Sequence, residues 1–206
     1  HGTAPLGDGN VLSLAERVRA ACGCWQTRYL TPKTVGASTT LASLMLGNGQ
    51  VAAVNSGDTR IWRLRRDAEG CVRWLQVSRD HTVWQDMVDR GEVQPEQKSE
   101  FASIYQGLLH CLTLGEPPSD AVLWDEDDAA LPGDTEEWLH VWHGQAAAGD
   151  VYLLATDGLH ETLGDAQLQS LWQTGLNLSA NLAALRSAYL ASNAPDDCSV
   201  IALALG

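Results

Sequence analysis

Five aspartates of this chain stand beside apolar runs that are long enough to be strands. They are Asp58, Asp80, Asp157, Asp196 and Asp197. A carboxylate just past the end of a buried strand can meet others at the edge of the same fold. Hard cations such as Mg²⁺ and Mn²⁺ prefer oxygen ligands of this kind, with water completing the coordination. Aspartates placed in this way are therefore candidate ligands for divalent cations.

The same aspartates also have an ordinary structural explanation. An aspartate that follows a strand is most often a turn former or a helix cap, because its short side chain accepts hydrogen bonds from nearby backbone N–H groups. Taken singly, none of these positions establishes a metal site. Their meaning depends on the elements and motifs around them.

The composition excludes several classes of protein. The 206 residues suit one domain over 1–206, and 13 basic against 26 acidic residues give a net charge of −13. Such a polyanion repels nucleic acid and anionic membranes, so neither is an expected partner. No apolar stretch approaches the roughly 20 residues of a membrane span. The first residues lack the pattern of a signal peptide.

The cysteines indicate a reducing compartment. Their odd number, five, and their irregular spacing argue against a disulfide framework. Cys22 and Cys24 form a single C-x-C pair without the second pair that a structural zinc site needs. The expected location is the cytoplasm.

Hydrophobic periodicity predicts strands and helices that are grouped rather than alternating. Apolar residues at helical spacing predict helices over 11–26, 83–90, 96–109, 165–172 and 178–191. Apolar or alternating runs predict strands over 39–46, 51–55, 59–66, 71–77, 138–143, 151–155 and 199–205. The first four strands are joined by short turns, which predicts an antiparallel meander, with a bulge or change of face within 59–66. Residues 115–137 are expected to form a long surface connection. The grouping predicts the α+β class.

Six short segments resemble, in order, the successive motifs of one enzyme family. They are Ser-Thr-Thr at 38–40, Val-Asn-Ser-Gly-Asp-Thr-Arg-Ile-Trp at 54–62, Ser-Arg-Asp-His-Thr at 78–82, Leu-Thr-Leu-Gly at 112–115, Leu-Ala-Thr-Asp-Gly-Leu at 154–159 and Asp-Asp-Cys-Ser-Val at 196–200. Each motif is weak alone, but six in order over about residues 30–206 are specific. The chain is similar to the bacterial type of PPM (PP2C-type) metal-dependent serine/threonine phosphatases.

This resemblance implies a fold and a set of site residues. The fold is a four-layer αββα sandwich of two antiparallel sheets flanked by helices. Asp157 and Asp196 match metal ligands of the family, and Asp80 matches an aspartate that helps to hold a third metal in bacterial members. Asp58 and Arg60 match a pair that holds a strand junction. Asp197 stands where the family usually has asparagine. This aspartate adds a negative charge beside the site.

The resemblance also implies a reaction, the hydrolysis of phosphoserine and phosphothreonine. Two or three Mg²⁺ or Mn²⁺ ions would lower the pKa of a shared water so that it attacks phosphorus directly. No phospho-enzyme is needed, so Cys111 and Cys198 need no nucleophilic role. Their apolar neighbours in the sequence predict that both are buried. His160 lies close to Asp157 in sequence and is the candidate general acid, whereas His81 is expected to pack at a strand end.

Two family motifs are not found in the 206 residues, the Arg-x-x-Asn-Glu-Asp segment and the Asp-Gly-X-Gly-Gly segment. They supply phosphate binding, the first metal ligands and strands of the sandwich, so we expect that these N-terminal strands lie outside the chain or have been lost. The alternative function is therefore a pseudophosphatase, a regulatory or binding module on the same scaffold. A third reading is an acidic scaffold protein whose motif matches are coincidental. The expected partner is a phosphorylated protein, either a cognate Ser/Thr kinase or its substrate.

Overall fold

The computed structural model describes residues 8–95, 97, 107–116, 121–124, 138–193 and 196–206. In chain order the elements are α1 (Asp8–Tyr29), β1 (Ser38–Thr39), β2 (Leu41–Gly47), β3 (Gln50–Ser56), β4 (Arg60–Arg66), β5 (Val72–Gln76), α2 (Val83–Asp89), β6 (Leu112–Thr113), β7 (Ala121–Trp124), β8 (Leu139–Gln145), β9 (Val151–Ala155), α3 (Asp157–Leu171), α4 (Leu178–Ala191) and β10 (Val200–Ala204). The chain divides into two compact units, the first formed by His1–Asp58 and Ser78–Gln145 and the second by Thr59–Val77 and Ala146–Gly206.

The first unit contains a four-stranded sheet in the order β2-β3-β8-β7. β2 and β3 form a hairpin whose turn residues, Asn48 and Gly49, have φ of 52° and 76°. A tight two-residue turn needs these left-handed values, which asparagine and glycine adopt at low cost. β3 pairs antiparallel with β8, and β7 runs parallel to β8.

Helix α1 covers one face of this sheet. Leu14, Val18 and Cys22 recur every four residues, so they lie on one side of the helix. They are buried together with Val54 of β3 and Val141 of β8. This helix-on-sheet packing forms the core of the first unit and fixes the end of β3, where the Asn-Ser-Gly-Asp segment begins.

The second unit contains an antiparallel sheet in the order β10-β9-β4-β5. Successive side chains along a strand point to opposite faces of the sheet. Trp62 of β4 and its partner Leu153 of β9 point to the same face. On that face they pack with Leu163 of α3 and with Leu185 of α4. The two helices thus hold β9 and β10 from one side, and Asp157 and Asp196 lie just beyond the ends of these strands.

The predicted α+β class is confirmed, with antiparallel pairing throughout the described sheets except between β7 and β8. The predicted meander is wrong in one respect, because the chain changes from the first sheet to the second between β3 and β4. β4 contains no bulge, and its pairing with β9 is continuous from Arg60 to Leu64. The irregular pattern arises because Arg60, Ile61 and Trp62 are all buried.

Three other segments differ from prediction. α1 begins at Asp8, before the expected start at 11. α3 begins at Asp157 rather than near 165, and Gly164, with φ of 71°, interrupts it, so the helical period is broken in the sequence. Residues 121–124 of the expected surface connection form β7. The remainder of 117–137 and most of the predicted helix 96–109 lie outside the described residues.

Two observations concern the whole set of described residues. None of the described helices combines the length and the apolar character that crossing a lipid bilayer requires. All five cysteines are free thiols, with Cys22 buried and Cys24 exposed.

A buried ion pair in the second unit gives a test of this packing. Asp150 is 1% exposed and accepts hydrogen bonds from Arg65 Nε at 2.7 Å and Arg65 Nη2 at 2.8 Å, and from the Ala147 N–H at 2.9 Å. Burial alone would raise the pKa of Asp150, but these hydrogen bonds and the charge of Arg65 lower it overall. The pair ties the start of β9 to β4.

We predict that Asp150→Asn lowers the free energy of unfolding by about 2–4 kcal/mol, because it leaves Arg65 without its counter-charge. Urea unfolding followed by tryptophan fluorescence measures the change. The control is Asp67→Asn, since Asp67 pairs with Arg73, whose side chain is 75% exposed. Because its arginine is exposed to solvent, this pair should contribute under about 1 kcal/mol. Equal losses in the two variants would contradict the assignment.

Candidate metal-binding site

The ends of β9 and β10 bring two predicted metal ligands into neighbouring segments. The two strands pair from Val151↔Ala204 to Ala155↔Val200. The ladder then continues by one residue, because the Thr156 N–H donates to Ser199 O at 3.1 Å and the Ser199 N–H donates to Thr156 Oγ1 at 3.0 Å. Asp157 follows directly on one segment, and residues 196–198 lie on the other. Strand pairing therefore positions Asp157 beside the Asp196 motif.

Gly158 determines how closely these segments approach each other. A β-carbon at position 158 would lie 2.2 Å from the carbonyl oxygen of Asp197 and 3.0 Å from its carbonyl carbon. No side chain fits at that distance, so the close approach requires glycine. The glycine of the Thr-Asp-Gly motif thus has a steric role beside the predicted ligand Asp157.

The carboxylates of Asp157 and Asp196 each accept a hydrogen bond from the backbone N–H of the next residue. Asp157 Oδ1 accepts from Gly158 at 2.9 Å, and Asp196 Oδ1 accepts from Asp197 at 2.7 Å. Asp157 is half-buried at the first turn of α3, where the helix dipole favours a negative charge. Asp196 is exposed. Each of these bonds uses one carboxylate oxygen.

The charge of Asp157 acts on the neighbouring segment. Burial, and secondly the negative charge of Asp157, raise the pKa of the Cys198 thiol. Cys198 is half-buried against the core of the second unit. A thiol that stays protonated is a poor nucleophile. The environment of Cys198 is therefore that of a packing residue beside the site.

His160, the predicted general acid, lies inside the second unit. Its side chain is 1% exposed, and its ring meets the Trp62 ring edge-on at 6.0 Å between centroids. Its Nδ1 lies 3.7 Å from Glu161 Oε1. A general acid must reach the leaving group, and this imidazole is enclosed. The geometry gives the catalytic role no support, and that role stays a prediction.

Arg60 and Asp58 lie on opposite sides of the boundary between the two units. Arg60 is buried on β4, and its Nη1 donates to Asp165 Oδ1 of α3 at 3.3 Å, just after the break at Gly164. This bond ties the strand to the second half of the helix. Asp58 is half-buried in the segment between β3 and β4. The predicted structural role of the two residues stays a prediction.

Asp80 belongs to the first unit, where its neighbour His81 anchors the segment. The Gly57 N–H donates to His81 Nδ1 at 3.0 Å, and the His81 N–H donates to Gly57 O at 3.1 Å. This reciprocal pair joins the loop that carries Asp58 to the loop that carries Asp80. His81 packs at the end of a strand, as expected, and Asp80 is buried beside it.

Asn55 is a second anchor of this region that the sequence interpretation missed. Its side chain donates to Arg79 O at 2.7 Å and accepts from the Arg79 N–H at 3.1 Å. Its Oδ1 also lies 3.1 Å from Nδ1 of His140 on β8. An asparagine within the apolar strand β3 was the available signal, because a buried amide must find partners. Asn55 thus holds the segment before Asp80 against the sheet.

The donor set suits a hard cation only in part. Asp157 and Asp196 offer carboxylate oxygens from adjacent segments, which is the chemistry that Mg²⁺ and Mn²⁺ prefer. Among the residues that the structure describes, no group of three or more His, Cys, Asp and Glu side chains is arranged to hold a metal ion. The described residues therefore offer two carboxylates of the right chemistry, and their role as metal ligands stays a prediction.

The approach at Gly158 predicts that Gly158→Ala lowers the free energy of unfolding by about 1–3 kcal/mol, since the added methyl group forces the segments apart. Urea unfolding measures this loss. The matched control is Gly175→Ala, because a β-carbon at 175 meets nothing within 4 Å. That variant should stay within about 0.5 kcal/mol of the parent protein. A loss in Gly158→Ala no larger than in the control would show that the segments are not in close contact.

The buried histidines predict a loss of stability in acid. Burial first, and then the charges of His110 and Arg79, lower the pKa of His81 to about 4. Burial also lowers the pKa of His140 well below its usual value. In the unfolded chain a histidine binds a proton near pH 6.5, whereas His81 in the folded protein stays neutral down to about pH 4. Above pH 6.5 both states are neutral at His81, so the free energy of unfolding is unaffected there. As the pH falls towards 4, only the unfolded chain gains the proton, and the free energy of unfolding decreases by about 3 kcal/mol.

His81→Asn tests this directly, because the asparagine oxygen can accept from the Gly57 N–H without titrating. Urea unfolding of both proteins between about pH 7 and pH 4 should show a shallower loss in the variant. Parallel pH dependences would contradict the assignment of a neutral, buried His81.

Comparison with known proteins gives relatives in sequence and in structure. The serine/threonine protein phosphatase PstP of Mycobacterium tuberculosis is 28% identical over 136 residues, which is 66% of this chain and 21% of PstP. The chain thus spans about a fifth of the length of the curated relative it matches. No protein-family model matches the chain.

Solved structures share the fold. The crystal structure of M. tuberculosis PstP matches 99% of this chain and 76% of its own with a TM-score of 0.73 and 23% identity. The PstP catalytic domain in complex with two manganese ions matches 98% of this chain and 74% of its own with a TM-score of 0.70 and 24% identity. The PPM phosphatase MsPP of Mycobacterium smegmatis matches 94% and 73% with a TM-score of 0.65 and 22% identity. The chain therefore has the fold of the PPM-type serine/threonine phosphatases and shares sequence with PstP, which confirms the family resemblance of its motifs.

Proposed function

We propose that this chain is part of a metal-dependent protein phosphatase that hydrolyses phosphoserine and phosphothreonine. The observation that carries the proposal is the strand pairing that sets Asp157 beside the Asp196 segment, with Gly158 permitting the close approach. The similarity to PstP in sequence and fold supports the same reaction class. The metal dependence is supported by the carboxylate donors and by the two manganese ions in the PstP catalytic domain.

In this proposal Asp157 and Asp196 would hold Mn²⁺ or Mg²⁺ through their carboxylates. A bound ion of this type lowers the pKa of water and neutralises charge on a phosphate. Gly158 keeps the two carrying segments close, and Thr156 and Ser199 fix their register. Cys198 remains protonated and packs beside the site. Asp80 is proposed as a further ligand, on the family resemblance alone.

The proposed substrate is a phosphorylated protein, either a Ser/Thr kinase or a protein that such a kinase modifies. This rests on the resemblance to bacterial phosphatases. The net charge of −13 disfavours nucleic acid as a substrate or partner. The cytoplasmic location stays a proposal based on the number and spacing of the cysteines.

A second function, that of a pseudophosphatase, is favoured by one specific observation. Asp197 stands beside Asp196 at the position where the resembled family usually has asparagine, and it adds a negative charge there. A protein of this kind would bind a phosphorylated partner, or a metal ion, without turnover.

The test is hydrolysis of p-nitrophenyl phosphate and of a phosphothreonine peptide with Mn²⁺, with and without a chelator. We predict turnover that the chelator abolishes, and a loss of at least about 100-fold in Asp157→Asn and in Asp196→Asn, because each removes a ligand charge. Glu69→Gln is the control, since Glu69 is an exposed acidic residue in the turn between β4 and β5.

The outcomes separate the two functions. Metal-dependent turnover that falls in both aspartate variants but not in Glu69→Gln supports the phosphatase. Mn²⁺ binding without turnover, measured by calorimetry, supports the pseudophosphatase. If the protein shows no Mn²⁺ binding and no turnover, the metal-dependent proposal is overturned.

A further inference from the structure

Tyr189 connects helix α4 to the backbone of Asp196. Its ring is buried in the core of the second unit, in the cluster that contains Leu185 and Cys198. Its hydroxyl donates a hydrogen bond to the carbonyl oxygen of Asp196. A carbonyl oxygen can only accept a hydrogen bond, so the Tyr189 hydroxyl is the donor in this pair.

The hydrogen bond from Tyr189 holds one side of a single peptide unit. The carbonyl of this unit belongs to Asp196, and its N–H belongs to Asp197. That N–H donates to Asp196 Oδ1 at 2.7 Å. Because a peptide unit is planar, fixing its carbonyl also fixes the direction of its N–H. The orientation of the Asp196 carboxylate thus depends on a donor supplied by α4.

The rest of the segment is held from the opposite direction. The carbonyl of Asp197 packs against Gly158, and Ser199 bonds to Thr156 on β9. These contacts fix residues 197–199 relative to Asp157. The Asp196 carbonyl instead accepts its hydrogen bond from Tyr189, which lies on helix α4 and not on the sheet.

We propose that Tyr189 is a positioning residue for metal binding, whose hydroxyl orients the 196–197 peptide so that the Asp196 carboxylate is presented beside Asp157. The inference rests on the proposed function for the identity of the ligand, but the positioning itself is a property of the chain. Partners that orient a ligand typically contribute 10–100-fold to metal affinity in metalloproteins. The core packing of the ring and the hydrogen bond of the hydroxyl are separable.

The test variant is Tyr189→Phe, which keeps the ring in the core and removes only the hydroxyl. Hydrogen exchange of the metal-free protein should become faster in the peptide covering 196–199, because the Asp197 N–H loses its fixed acceptor geometry. Mn²⁺ affinity, measured by calorimetry, should fall about tenfold. The activity of the variant should be restored by excess Mn²⁺, with KM for p-nitrophenyl phosphate unchanged at saturating metal.

The control is Leu185→Val, which removes apolar volume from the same cluster on the same helix without touching Asp196. It should lower stability but leave Mn²⁺ affinity and exchange at 196–199 unchanged. Unchanged exchange in Tyr189→Phe, or equal effects of the two variants on Mn²⁺ affinity, would overturn the proposal. If the parent protein binds no Mn²⁺, the proposed function fails, and exchange at 196–199 alone decides whether Tyr189 orients this segment.

Discussion

The antiparallel pairing of β9 with β10 is the constraint on which the candidate site depends. Asp157 and Asp196 are far apart in the chain, and nothing local in either segment brings them together. The ladder from Val151↔Ala204 to Ala155↔Val200, extended by Thr156 and Ser199, fixes the register of the two segments. A shift of one residue would turn the apolar side chains of the shifted strand to the opposite face, so the buried core opposes it. The core beneath α3 and α4 stabilises the one register that places Asp157 beside the segment that carries Asp196.

Polar groups at the ends of the strands give this arrangement its detail. In the second unit, the Thr156 hydroxyl accepts from the Ser199 N–H just before β10 instead of capping its own helix, and Tyr189 on α4 donates to the Asp196 carbonyl. In the first unit, Asn55 and His81 hold the loops that carry Asp58 and Asp80. Each group is buried or half-buried and is matched with a backbone partner, which avoids the cost of an unpaired polar atom. Both units thus use the same means to position acidic residues.

Much of the fold could be predicted from the sequence because its periodic patterns are strong. The strand Val151–Ala155 is continuously apolar, the helix Leu178–Ala191 has apolar residues at helical spacing, and the Asn48-Gly49 turn has a specific backbone requirement. The family resemblance came from short segments around the aspartates and is confirmed by fold and by sequence. The predicted site residues themselves stay predictions.

What could not be predicted has physical reasons. The start of α3 was missed because Gly164 interrupts the helical period. The parallel strand β7 depends on its pairing with β8, which no local pattern encodes. The roles of Asn55 and Tyr189 depend on contacts with Arg79 and Asp196, which only the folded chain brings close. His160 follows the motif in sequence, yet the first turn of α3 directs it into the core beside Trp62.

The most direct test of the central claim is anomalous diffraction at the manganese edge from crystals of the protein grown with Mn²⁺. We predict an anomalous peak within coordination distance, about 2.0–2.4 Å, of carboxylate oxygens from both Asp157 and Asp196. A peak bound by only one of the two, or manganese located elsewhere with both carboxylates still directed to their own backbone, would contradict the account.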